Sequence, residues 1–81
     1  MKLFLLTQFQ ETGYDTYESA VVVAPDEETA RQMNPEDGEQ MEWGAECGTW
    51  CNRPEDVTVR YLGEAAEDVE YGVMCASFHA G

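Results

Sequence analysis

The sequence predicts a small α+β domain, an antiparallel sheet of about four strands arranged β-β-α-loop-β-β with one short helix on one face. Three observations carry this. Two apolar runs, Lys2–Phe9 and Tyr14–Ala24, flank the turn residues Gln10-Glu11-Thr12-Gly13. A proline-led acidic segment follows, and then a period-two alternation resumes at Asp56–Ala65 before a last apolar stretch, Tyr71–Phe78. Strands followed by a lone helix and further strands imply a sheet with the helix packed on it. The 81 residues make one domain, because a chain this small buries only about 60% of its unfolded surface and two cores would each be too small.

Lys2–Phe9 is apolar at successive positions and reads as a strand buried on both sides. Tyr14–Ala24 is rich in Tyr, Thr and Val and reads as its antiparallel hairpin partner. Ala24-Pro25-Asp26-Glu27-Glu28 reads as a helix start, with Ala24 as cap, Pro25 in the first turn, and acids against the positive end of the dipole. Ala30 and Met33 face the sheet on this reading. The helix runs two to three turns until Asn34-Pro35, since the residue before proline leaves helical geometry. In the third strand Val57, Val59 and Tyr61 alternate with Thr58, Arg60 and Leu62; Gly63–Glu70 is an acidic turn, and Tyr71–Phe78 is the fourth strand.

Between Pro35 and Pro54 periodicity disappears, leaving a long irregular acidic loop at 35–54 that holds both tryptophans. A loop of this length in a compact domain is usually functional. One short helix cannot cover four strands, and Leu3, Phe4, Leu5 and Leu6 place apolar groups on both faces of the first strand. The loop, by folding Trp43 and Trp50 onto the sheet, or a homodimer partner would supply the second cover.

Charge excludes several functions. Seventeen Asp and Glu against four Lys and Arg give a formal net charge of −13. A field of that sign repels nucleic acid and anionic membranes, so no direct nucleic-acid ligand is expected. The natural complement is a basic protein surface. The apolar start, Met1–Thr7, is too short for a signal core or a membrane span, so the three cysteines read as reduced thiols of a cytoplasmic protein.

Specific chemistries are thin. Cys47 and Cys51, with Cys75 and His79, have zinc-like spacings. However, strand residues four apart lie about 13 Å from each other. Buried or partly buried thiols are the plainer reading. Cys47-Gly48-Thr49-Trp50-Cys51 separates its cysteines by three residues where dithiol oxidoreductases use two. Asp37-Gly38-Glu39 lacks the alternating ladder of a calcium loop. His79 is the third residue from the end of the sequence, and Ser19 and Ser77 have no nucleophile context. The expectation is a non-enzymatic protein without cofactor or metal.

What remains is the distribution of acids. Asp26 to Glu46 holds eight acids against Arg31 alone. Asp26, Glu27, Glu28, Glu36, Asp37, Glu39, Glu42 and Glu46 would therefore compete for Lys and Arg meant for phosphates, with Trp43 and Trp50 as apolar anchors. The plainer alternative is a small structural or interaction module, or a homodimer, whose acidity only solubilises it. The segments Met1–Gln8, Thr12–Tyr17, Ala24–Arg31 and Tyr61–Ala65 resemble small uncharacterised proteins of phages and prophages. In size and acidity the chain is also similar to anti-CRISPR proteins, a likeness of type without a shared motif. The resemblance implies a phage-type inhibitor, acting as a DNA mimic in the cytoplasm of a bacterial host on a nucleic-acid-binding defence complex; it assigns no site residues.

Overall fold

A computed structural model describes residues 1–8, 16–43, 50–51 and 53–79, except for the side chains of Thr16, Phe78 and His79. Strands β1 (Lys2–Thr7) and β2 (Thr16–Ala24) precede helix α1 (Glu27–Arg31). A 3-10 turn (Pro54–Asp56), β3 (Thr58–Glu64) and β4 (Gly72–His79) complete the chain. The sheet order is β3-β1-β2-β4, and all three neighbouring pairs are antiparallel. The predicted four-stranded α+β architecture is therefore the one observed. β3 and β4 follow each other in the chain yet form opposite edges, so the segment between them crosses the end of both central strands. Ala65 N–H donates to the Met1 carbonyl at 2.9 Å and ties that crossing down.

Strand β1 is not buried equally on both sides. Phe4 and Leu6 are buried while Leu3 and Leu5 are half-buried. The register explains this: Phe4 and Leu6 pair with Val22 and Ala20, all on one face, whereas Leu5 and Leu3 pair with Val21 and Val23 on the other. The core gathers the first set with Ala24, Ala30, Met33, Met41, Trp50, Cys51 and Val57. Val23 is also buried but lies outside that cluster. Burying each large apolar side chain of the cluster stabilises the fold by about 1.5–3 kcal/mol. Gln8, a buried polar residue at the end of β1, satisfies its amide by donating Nε2–H to the Tyr17 carbonyl at 2.8 Å.

The helix departs from expectation in start and length. Its N-cap is Asp26 rather than Ala24, with extended backbone and a carboxylate that accepts from Thr29 N–H at 2.8 Å. Pro25 thus precedes the cap instead of opening the first turn, because aspartate can accept from an N–H of that turn and alanine cannot. The helix ends after five residues, three before Asn34. Met33 leaves helical geometry to form an antiparallel bridge with Gln40. Met41 N–H donates to the Gln32 carbonyl and Asn34 N–H to the Glu39 carbonyl. Residues 32–41 therefore form a small hairpin in what the sequence presents as loop.

Gly38 turns that hairpin with φ of +78°, a left-handed conformation that disfavours residues with a Cβ. A Cβ there would sit 3.5 Å from Val73 N and 3.6 Å from Gly72 Cα, so the hairpin tip rests on the start of β4. The segment continues inward through buried Met41 and half-buried Trp43 to fully buried Trp50 and Cys51. It covers the same face as the helix. The expectation that Trp43 and Trp50 close the second face is corrected: they complete the first, and the Leu3–Leu5–Val21 face carries neither helix nor tryptophan among the described residues.

Candidate functional site

The predicted acids divide by element. Asp26 caps α1, Glu27 and Glu28 form its first turn, and Glu36, Asp37 and Glu39 lie on the hairpin with Glu42 just beyond it. All seven side chains are exposed. Helix and hairpin adjoin, since Glu28, Thr29 and Gln32 share with Gln40 and Tyr71 a solvent-open cleft of about 220 Å³. Glu46 lies outside the described residues.

Two carboxylates also serve the backbone. Asp37 Oδ1 accepts from Glu39 N–H at 2.9 Å, closing the hairpin tip; its neighbour Gly38 gives that tip its handedness, which accounts for the Asp37-Gly38-Glu39 pattern without a cation. Asp26 is held below its usual carboxylate pKa by hydrogen bonds from the Thr29 hydroxyl and amide, with a smaller contribution from Lys2. It stays ionised throughout the neutral range. Glu28 accepts from Gln32 Nε2 at 3.0 Å along the helix.

The cations do not neutralise this surface. Arg31 is half-buried and donates Nη1 to the carbonyls of Pro54, at 3.2 Å, and Val57, at 2.5 Å, fastening α1 to the entry of β3. Arg53 pairs with Asp56 at 3.4 Å and Glu55 at 4.0 Å. Among the described residues, none of the seven predicted acids has an ion-pair partner. A cation approaching these acids would have no described ion pair to break.

The predicted aromatic anchors separate. Trp43 is half-buried and donates Nε1–H to Gln32 Oε1, placing part of its ring beside the helix. Trp50 is fully buried within the core, so its place as a surface anchor is corrected: it stabilises the fold that presents the acids. Tyr71, which sequence reasoning assigned only to a strand, is 45% exposed beside Glu28 and Gln40, and Tyr61, 54% exposed, shares a second cleft with Asp26 and Glu27, so both are accessible rings beside the acids. The position of Tyr71 next to Glu70, before the glycine that opens β4, was the available signal.

Other chemistries find little geometry. Among the described residues no three of His, Cys, Asp and Glu gather into a metal-holding group. Cys51 is buried, its thiol donating to the Arg53 carbonyl at 3.5 Å, while Cys75 is exposed on edge strand β4. Cys47 and the His79 side chain, needed for the zinc or dithiol readings, lie outside the described residues. Every described acid except half-buried Asp56 is exposed, and an exposed carboxylate lacks the desolvation that tunes a general acid. No helix among the described residues is long and apolar enough to cross a membrane. Comparison with family models, curated proteins and solved structures finds no match to this chain.

Proposed function

We propose that the chain is a non-enzymatic acidic binding protein that occupies a basic, nucleic-acid-binding protein surface, in the manner of a phage-encoded inhibitor of a host defence complex. One observation carries the reading. Seven acids, five of them on adjoining α1 and hairpin 32–41 with Asp26 capping the helix and Glu42 just past the hairpin, are exposed and without an ion pair among the described residues, on elements fastened to one core. A rigid array of unneutralised carboxylates competes for Lys and Arg that otherwise hold phosphates. Tyr71 beside Glu28 adds an aromatic surface over which a partner's guanidinium can lie.

The test is capture from a bacterial lysate on immobilised protein, across a salt series and with duplex DNA as competitor. Retention of a nucleic-acid-binding complex that both salt and DNA displace supports the proposal. The triple substitution Glu28→Lys, Glu36→Lys, Glu39→Lys abolishes that capture while the circular dichroism spectrum is kept. Equal capture by the folded triple variant refutes charge competition.

A further inference from the structure

The cleft beside Tyr61 has a volume of about 370 Å³, is lined by Lys2, Phe4, Asp26, Glu27 and Tyr61, and shares no residue with the cleft beside Tyr71. Phe4 and Tyr61 pair directly across β1 and β3. Phe4 is almost fully buried and forms the floor, whereas more than half of Tyr61 faces water. The Tyr61 ring is fixed at both ends. It packs on Phe4, with centroids 5.8 Å apart and planes inclined by 59°, and its hydroxyl donates to Glu64 Oε2 at 2.7 Å. A large ring held this way is a preorganised contact surface, so little conformational freedom is lost when a ligand meets it. Opposite it stand two carboxylates. Asp26 is engaged by Thr29, while the exposed carboxylate of Glu27 has neither a hydrogen bond nor an ion pair among the described residues. Lys2 is the one cation lining the cleft, and it pairs with neither acid.

We propose that this cleft takes an arginine side chain presented by a protein partner, its guanidinium laid on the Tyr61 ring and donating to Glu27. This assignment rests on the reading of the acidic surface as the partner-binding one, and narrows it to one kind of side chain at one place. Charge decides the sign of the occupant. Two carboxylates face one ammonium, so an anion is repelled. A neutral apolar group would cover both carboxylates without pairing them, and that desolvation outweighs its contact with the rings. Shape then decides between cations. A guanidinium is planar and weakly hydrated, and it stacks on an aromatic face while donating parallel hydrogen bonds to a carboxylate. An ammonium is a compact, strongly hydrated point charge. Lys2 carries an ammonium on this same cleft and still forms no ion pair with Asp26 or Glu27. Size agrees with one side chain, since the cleft lies near the lower end of the roughly 300–1,000 Å³ of small-ligand sites. Arginine is also the residue that holds phosphates bidentately in nucleic-acid-binding surfaces.

The test is a heteronuclear NMR titration of the full chain with a blocked glycine-arginine-glycine peptide and with its lysine counterpart. Saturable shifts are expected at the cleft residues, with dissociation constants in the millimolar range. The lysine peptide binds roughly threefold to fivefold more weakly, the size of an exposed cation–π contact. Tyr61→Leu keeps an apolar side chain at an exposed edge position and brings arginine binding down to the lysine level. Tyr61→Phe loses the bond to Glu64 but keeps the ring, and retains the preference. Lys2→Ala removes the resident cation and tightens both peptides roughly twofold. Should Tyr61→Leu fail to fold, Glu27→Gln on the exposed helix surface weakens arginine binding in its place. Equal binding of the two peptides overturns the assignment. So do shifts spread evenly over all the exposed acids, or an arginine preference that survives both Tyr61→Leu and Glu27→Gln. Capture from lysate separates this site from the reading beneath it. A basic complex captured by a protein that shows no arginine preference overturns the cleft alone. A clear preference in a protein that captures no such complex leaves the cleft's selectivity standing and overturns the reading of the partner.

Discussion

The two faces of this sheet share one hydrogen-bonded backbone and present opposite chemistry. On the covered face, Phe4, Leu6 and Val22 lie under α1, the 32–41 hairpin and Trp50, and the outer side of that cover carries the acids. On the reverse face, Leu3, Leu5 and Val21 are half-buried and Val23 is buried, and the paired positions hold no acid. The difference has a physical reason. Side chains directly opposite across antiparallel strands have Cβ atoms about 4.5–5.5 Å apart, and like charges placed there destabilise the pair. Helix turns and hairpin tips let carboxylates splay into water. A chain with 17 acids lowers this repulsion by keeping most of them off its strands, as here, where Glu18 and Glu64 are the acids within the four strands.

Removing the cover breaks the comparison most completely. Trp50→Ala empties the centre of the covered face and is expected to cost about 3–5 kcal/mol, a large part of the 5–15 kcal/mol typical of a native domain. Urea denaturation should show the midpoint collapse, and a loss below about 1 kcal/mol would mean that Trp50 does not organise this face. Next in size is the effect of charge on partner binding. If each retained acid of α1 and the hairpin meets a cation, capture by the proposed basic partner falls steeply with salt, on the order of tenfold or more between 0.05 and 0.2 M.

Stability should move the other way. Raising salt screens the self-repulsion of the −13 chain, so Tm increases by a few degrees in calorimetry. The triple Lys variant, with net charge shifted from −13 to −7, should start from a higher Tm and respond less to salt. A salt response equal to that of the wild type would place the repulsion elsewhere.

The smallest effect belongs to Asp26. Asp26→Ala removes the cap and lowers Tm modestly at neutral pH. Because the folded carboxyl titrates below its usual value, its contribution is fully present above that value and disappears as pH falls through the depressed one. The Tm difference between wild type and variant should therefore close on acidification. A difference that persists in strong acid would show that Asp26 acts through something besides its charge.

Much of the fold was legible in local pattern. Strand period, the Gln10–Gly13 turn residues and the β-branched run Val21–Val23 depend on neighbours in sequence, and the four strands appear close to where they are expected. The helix cap was legible but misread. Asp26 followed by Thr29 competes with Ala24-Pro25 as a start, and the better acceptor prevails. Met41 was not legible as core and Trp50 only as one of two possible covers for the sheet, on the wrong face, because residues without period give no sign of which side they face. Their burial depends on contact with Leu6 and Val22, which are remote in sequence. Trp43 and Tyr71 show the same limit at the candidate site: one ring is half held by Gln32, and the other emerges beside Glu28.

By itself, the sequence determined the strand count and the acidity, because these follow from periods of a few residues and from composition. Only the tertiary structure decided that helix and loop share one face, that Arg31 is committed to backbone carbonyls, and that Trp50 and Met41 join Phe4, Leu6 and Val22 in one core. Those outcomes depend on the β3-β1-β2-β4 order. Strand order is set by which long-range pairings bury most apolar surface together, a property of the whole chain that no short window contains.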